Sequence, residues 1–247
     1  MVRLIVCMFI FLLVPFDSYA VDARDIVERS YNYMRGETSF ARVRMRIHRP
    51  DYERKMTLNS WSKGRSNALF VITSPKKDSG SGTLKKGRQM WTYNPKINRV
   101  IKLPPSMMSQ SWMGSDFSNN DLSKTESMID DYTHEITGAG KNSDQKTFTI
   151  VSIPKPDAPV VWGSVQMEIR EDGILLAQRF LDQEGVPVKE LVTSGIKKMG
   201  GKLFPSRWTM INLEEHDRFT EIVYEELQFG IELSDRIFTT TYMKNQR

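Results

Sequence analysis

The sequence predicts a mainly β, α+β fold. It is expected to be a curved antiparallel sheet, an unclosed half-barrel of about eleven strands, with two or three helices covering its concave face. Three observations carry this. From Phe40 onward apolar and polar residues alternate at period 2 through most segments. Pairs such as Pro50-Asp51, Asp172-Gly173, Glu184-Gly185 and Gly200-Gly201 separate those segments at hairpin spacing. Helical stripes do not alternate with the strands, which argues against a parallel βαβ sheet. A large meander must hide its inner face by closing or by being covered, and few helices are available to cover it.

The N-terminus comes first in the chain. Arg3 precedes an apolar run from Leu4 to Pro15, and Ser18-Tyr19-Ala20 places small residues before Val21. This order is that of a secretory signal cleaved after Ala20. Twelve residues make a helix of about 18 Å, too short for a hydrocarbon core of about 30 Å. The only cysteine, Cys7, lies inside the apolar run rather than at the cleavage point. The expectation is therefore a signal over 1–20 and one domain over 21–247, free of cysteine and lipid anchor. An exported chain of this size without disulfides fits a bacterial periplasm.

Asp22 to Arg35 reads as an amphipathic helix, capped by Asp22 and ended by Gly36, with Ile26, Val27, Ser30, Tyr31 and Met34 on one face. Phe40 to His48 is the clearest strand: Ala41, Val43, Met45 and Ile47 alternate with Arg42, Arg44, Arg46 and His48. Arg54 to Trp61 follows, with Met56 and Leu58 on its buried face, and then Ala68 to Thr73. Gln89 to Tyr93 and Val100 to Leu103 are short strands on either side of Asn94-Pro95. Ser118 opens a helix through Met128, with Asp121 at the capping-box position. Further strands are expected near 132–138, 146–153, 162–170, 174–181, 187–193, 203–213 and 218–229. Phe238 to Met243 reads as a last edge segment.

Catalytic signatures fail in turn. Gly82 to Gln89 has glycine spacing like a P-loop, but Arg88 and Gln89 stand where Lys and Ser or Thr are required. Asp116 to Asp121 begins like a calcium loop, yet Asp121 replaces the glycine and Ser127 the bidentate Glu. His48, His134 and His216 are far apart, and no Gly-x-Ser-x-Gly is present. The expectation is a non-enzyme with no catalytic residue, metal or cofactor. The net charge of +5 hides an asymmetry. Arg35 to Lys102 carries 17 bases against four acids, and Leu103 to Arg247 carries 15 against 22. Export makes nucleic acid a poor partner for the basic half. Its arginines Arg42, Arg44 and Arg46 repel one another unless paired. Either they face acids such as Glu221 and Glu225, or they dock an acidic partner.

The remaining unusual feature is soft and apolar. Twelve of the 14 methionines lie beyond residue 20. Met90, Met107, Met108, Met113 and Met128 share one stretch with Trp91, Tyr93, Trp112 and Phe117. Methionine adapts to ligands of variable shape. Pro104 to Gly114 carries large apolar groups without strand or helix periodicity. It reads either as a plug at one end of the core or as a mobile lid over an apolar cavity.

A resemblance joins these pieces. Gly82-Thr-Leu-Lys-Lys-Gly87, Trp91-Thr-Tyr-Asn-Pro95, Arg99-Val-Ile-Lys-Leu-Pro104 and Gly114-Ser-Asp-Phe-Ser-Asn-Asn-Asp-Leu122 occur in that order. They are followed by Arg179-Phe-Leu-Asp182, Gly201-Lys-Leu-Phe-Pro205 and Thr220-Glu-Ile222. The pattern resembles the outer-membrane lipoprotein-sorting, LolA-like family. The resemblance implies a half-open barrel with helices in its concave face and an apolar cavity between. It also implies a periplasmic, monomeric carrier that binds the acyl chains of a lipoprotein or a free lipid and transfers them toward the outer membrane. An inner-membrane exporter and an outer-membrane acceptor are the implied partners. The alternative is an accessory or adaptor subunit, without ligand, of a resistance-nodulation-division-type lipid exporter. The residues expected to line a cavity are Val43, Met45, Ile47, Met56, Leu58, Trp91, Tyr93, Met107, Met108, Trp112, Met113 and Phe117. Whether Trp91 or Met90 points inward is open in the sequence.

Overall fold

A computed structural model describes residues 22–123 and 127–246. The expected signal segment lies outside the described residues. Helix α1 (Ala23–Arg35) is capped by Asp22, whose carboxylate accepts from the Arg24 amide at 2.9 Å, and Gly36 ends it at φ +70°. Its apolar stripe buries Ile26, Val27 and Ser30. The chain then enters a single antiparallel sheet.

The strands are β1 (Thr38–Arg49), β2 (Tyr52–Lys63), β3 (Asn67–Ser74), β4 (Gly82–Lys86), β5 (Gln89–Asn94) and β6 (Arg99–Lys102) in the first half. The second half holds β7 (Tyr132–Asn142), β8 (Gln145–Pro154), β9 (Ser164–Arg170), β10 (Leu175–Leu181), β11 (Pro187–Met199), β12 (Lys202–Asn212) and β13 (Phe219–Phe229). Their spatial order is β6-β5-β4-β3-β2-β1-β13-β12-β11-β10-β9-β8-β7. Two meanders thus meet where the first strand pairs with the last, and the edges are β6 and β7. These edges are neighbours in the chain but opposite rims of the sheet. The connection from Leu103 to Asp131 must therefore travel from one rim to the other. Its described parts, 103–123 and 127–131, lie on the concave side and carry α2 (Asn119–Ser123) and α3 (Ser127–Asp130).

The mainly antiparallel, unclosed sheet agrees with the fold read from the sequence, but it has thirteen strands rather than about eleven. Strand β4 has no counterpart in the sequence pattern, because Gly82 and two lysines hide its alternation. It is buried on both faces: Thr83 and Lys85 on one, Gly82 and Leu84 on the other. A second correction explains why. Phe238 to Met243 is not an edge strand. After Asp235–Ile237 the chain forms α4 (Thr240–Lys244), N-capped by the Thr239 hydroxyl. The C-terminal segment packs Leu233, Phe238 and Met243 against Leu69, Val71, Leu84 and Tyr93, forming a small core on the convex side. Gly82 permits this approach, since a Cβ there would sit 2.7 Å from the Met243 side chain. The expected helix over 118–128 is realised as α2 and α3, with 124–126 outside the described residues.

The main core lies on the concave side and draws on α1, α3, β1–β3 and β7–β13. At the β11–β12 turn, Gly200 and Gly201 both take positive φ (57° and 87°), as a tight hairpin turn requires. A Cβ on Gly200 would also collide with the Phe229 ring at 2.6 Å.

Candidate functional site

Alternation on β1 and β2 builds a floor. In register, Ser39 lies opposite Ser62, Ala41 opposite Ser60, Val43 opposite Leu58 and Met45 opposite Met56. The inward positions therefore grade from serine at one end to methionine at the other. Strands β12 and β13 continue the surface with Met210 and with Phe204, Trp208 and Tyr224, whose rings pack as an aromatic cluster. The Phe204 ring stands 5.0 Å from Tyr224, edge to face, and 6.0 Å from Trp208. A bulge in the β1–β13 pairing lets both Tyr224 and Leu227 face inward. Tyr31 and Met34 of α1, with Met128 and Ile129 of α3, lie over this floor.

These surfaces do not meet. Between them is a cavity of about 360 Å³ whose lining is predominantly apolar. It falls in the range of small-ligand pockets, roughly 300–1,000 Å³. Its phenols stay neutral: burial raises the Tyr31 and Tyr224 hydroxyls well above the ordinary tyrosine range and pushes Tyr132 up to about 12. The Tyr31 hydroxyl accepts from Gln178 Nε2 at 3.0 Å, which satisfies it in place. Such a wall offers contact area and a few neutral dipoles, with Arg35, Arg65 and Asp121 as its charged groups. Among the described residues no three His, Cys, Asp or Glu side chains converge as a metal would require.

One end is closed by the connection. Trp112 is buried; its Nε1 donates to Thr83 Oγ1 at 3.0 Å and its ring stands 5.2 Å from Phe70. Two buried ion pairs fix this segment to the sheet. Arg49 Nη1 meets Asp116 at 2.9 Å, and Asp116 also accepts from Thr220 Oγ1 at 2.6 Å. Lys189 Nζ meets Asp121 at 2.5 Å. Ser118 and Asp121 form a reciprocal capping box at the start of α2, at 2.7 and 3.2 Å.

Of the residues expected to line a cavity, Val43, Met45, Leu58, Trp112 and Phe117 do so. Ile47 and Met56 are fully buried one step further along the floor, within the core rather than on the cavity. Met113 packs half-buried against that core. Met107 and Met108 are half-buried, and their carbonyls accept from Asn119 Nδ2 at 3.0 Å and the Asn120 amide at 2.7 Å. Trp91 and Tyr93 lie on the convex side, in the small core beneath the C-terminal segment. Met90 is on the opposite face from Trp91, paired with Lys85, and is wholly buried. The cause is general: β5 is covered on both faces, so its pattern does not say which face looks inward. The sequence pattern does not single out the aromatics of β12 and β13, although Phe204, Trp208 and Met210 keep strand spacing.

Arg44 and Arg46 lie opposite acids on the outer face. Arg44 meets Glu225 at 3.3 Å, and Arg46 meets Glu221 at 3.5 Å and Glu53 at 3.2 Å. Arg42 Nε approaches Asn59 Oδ1 at 3.4 Å. Cross-strand pairing is thus the arrangement present.

A curved antiparallel sheet that wraps helices around an unfilled apolar interior defines a LolA-like fold, and comparison with solved structures agrees. A DUF1329 family protein from Desulfovibrio piger superposes with a TM-score of 0.80 at 22% identity, covering 90% of this chain and 97% of that one. A putative outer membrane lipoprotein-sorting protein domain from Vibrio parahaemolyticus gives 0.78 at 20% identity, covering 90% and 98%. A LolA superfamily protein from Nitrosomonas europaea gives 0.74 at 22% identity, covering 90% and 100%. At these identities the likeness is one of fold. No curated protein matches the chain. By sequence, residues 64–245 match a family described as "Uncharacterized protein", and the chain belongs to that family.

Proposed function

We propose that the protein is a periplasmic carrier that shelters the acyl chains of a lipoprotein or a free lipid and passes them toward the outer membrane. The observation that carries this reading is the unfilled cavity between the sheet and α1. The LolA-like fold supports it, and so does the signal-like order of residues 1–20. An inner-membrane donor and an outer-membrane acceptor complete the route, and no step in it needs catalysis.

The energetics suit a carrier. Each buried methylene contributes about 0.8 kcal/mol, so a tail of about 14 methylenes gains on the order of 11 kcal/mol. Immobilising the ligand costs roughly 4–15 kcal/mol. At the low end of that cost the net is at most about 7 kcal/mol, a moderate affinity of the kind release demands. A ligand-free adaptor subunit would have little reason to keep this space open.

Native mass spectrometry of the protein exported to a bacterial periplasm, followed by organic extraction, tests the reading. The expected result is a co-purifying lipid or acylated peptide. A protein that arrives empty and takes up no lipid when mixed with vesicles would refute it.

A further inference from the structure

On β1 and β2 the floor is polar at one end, and two arginines line the cavity beside it. Ser39 and Ser62 share a 2.7 Å hydrogen bond there, Ser60 follows, and the cavity is lined at the same place by Arg35 and Arg65. Arg65 is held at the rim by Glu28 and by Asn32 Oδ1 at 3.3 Å. A second cavity of about 220 Å³ shares Arg65 and Ser127 with the first and adds Ser66, Arg88, Asp130 and Asp131. Asp131 accepts from Ser127 Oγ at 2.6 Å, and Asp130 pairs with Arg24 at 3.2 Å. Both acids are therefore engaged locally. Arg88 is exposed and has no ion-pair partner among the described residues.

From Ser39 to Met45 the floor runs six residues, or about 20 Å along the strand. Polarity falls along that length. An amphiphile entering this gradient puts its tail toward Met45 and Ile222 and leaves its head beside Arg35, Arg65 and Arg88. A neutral head adds no charged partner to these guanidinium groups, whereas an anionic head gives them charge-assisted hydrogen bonds. We propose that the serine–arginine end of the cavity is a headgroup site for an anionic amphiphile, bearing a carboxylate or a phosphate monoester next to its tail. This deepens the carrier reading and rests on it. It also separates cargoes, because the fully acylated N-terminus of a lipoprotein carries no anion at the junction of its tails.

Three oleoyl probes test this on the whole mature chain by displacement of a fluorescent apolar dye: oleate, oleoyl-lysophosphatidic acid and uncharged monoolein. The wild type is expected to bind at least one anionic probe about tenfold more tightly than monoolein at neutral pH. Whether carboxylate or phosphate leads identifies the source of the anion. Arg35→Gln with Arg65→Gln should lower affinity for the preferred anionic probe about tenfold more than it lowers affinity for monoolein. Arg88→Gln, on the exposed rim, should reduce the preference without touching the fold. Equal affinity for charged and uncharged probes, or a preference that survives all three substitutions, overturns the headgroup site while leaving a carrier. Failure of every probe, monoolein included, overturns the carrier reading and the site with it.

Discussion

The Lys189 ammonium lies 2.5 Å from the Asp121 carboxylate and 5.0 Å from the centres of both the Trp162 and Phe180 rings. Lys189 comes from β11, Asp121 from the helix that crosses the cavity, and Trp162 from the connection between β8 and β9. One buried cation therefore joins the sheet to two separate segments that line the cavity.

Breaking that pair by Lys189→Met leaves a carboxylate in a largely dry site and should cost roughly 3–5 kcal/mol of stability. Asp121→Asn in the same chain should recover part of the loss. A coupling energy above about 1 kcal/mol from urea unfolding of the four proteins is the expected outcome. Strict additivity would show that the two side chains do not act as a unit.

The second anchor, Arg49 with Asp116, holds the turn that places Trp112. Asp116→Asn should destabilise the protein by a similar roughly 3–5 kcal/mol. It should also speed hydrogen exchange locally, at the Trp112 amide that donates to the Phe117 carbonyl at 2.7 Å. Uniform acceleration along the chain, with no excess at residue 112, would argue against an anchoring role.

On the convex side, Gly82→Ala drives a methyl group into Met243 and should cost about 1–3 kcal/mol. Met243→Ala is destabilising by itself, yet it frees that space. The double variant should therefore be no less stable than Met243→Ala alone, as read by thermal unfolding.

Burial raises the folded-state affinity of Tyr31, Tyr132 and Tyr224 for their protons. Above about pH 10 the unfolded chain gives up these protons while the folded chain keeps them, so stability falls as pH rises toward about 12. Tyr31→Phe with Tyr224→Phe should flatten that decline between about pH 9 and about pH 11. The opposite flank belongs to His134, half-buried on β7, whose proton affinity burial lowers. Its contribution is present above pH 6.5 and is lost as pH falls, so His134→Gln should soften the acid side. Urea midpoints across the pH range measure both effects.

The period-2 pattern of Ala41, Val43, Met45 and Ile47 makes the floor legible in the sequence, because one face of β1 is dry and the other carries paired charges. Strand β4 is not legible. Gly82 yields to Met243, and Lys85 is wholly buried with its Nζ donating to the Arg65 carbonyl at 2.8 Å, so neither obeys alternation. The threonines of 239–241 favour a strand locally, yet tertiary need prevails: the outer faces of Leu69, Val71 and Leu84 require a cover. The same cover makes both faces of β5 dry, which is why Trp91 and Tyr93 look like cavity residues and lie on the other side of the sheet. β13 is part of the cavity wall, yet the bulge between Tyr224 and Leu227 breaks the period-2 pattern by which the sequence would have marked it.

If a hydrocarbon tail occupies the space between the sheet and α1, bromine can report on it from inside. Single-tryptophan variants retaining only Trp208, on the cavity wall, or only Trp91, on the convex side, are to be titrated with stearate brominated in mid-chain. Saturable quenching of Trp208 with Trp91 unaffected is the predicted result. Equal quenching of the two, or none at Trp208 while the fatty acid is bound, would place the tail elsewhere and contradict a carrier that works through this cavity.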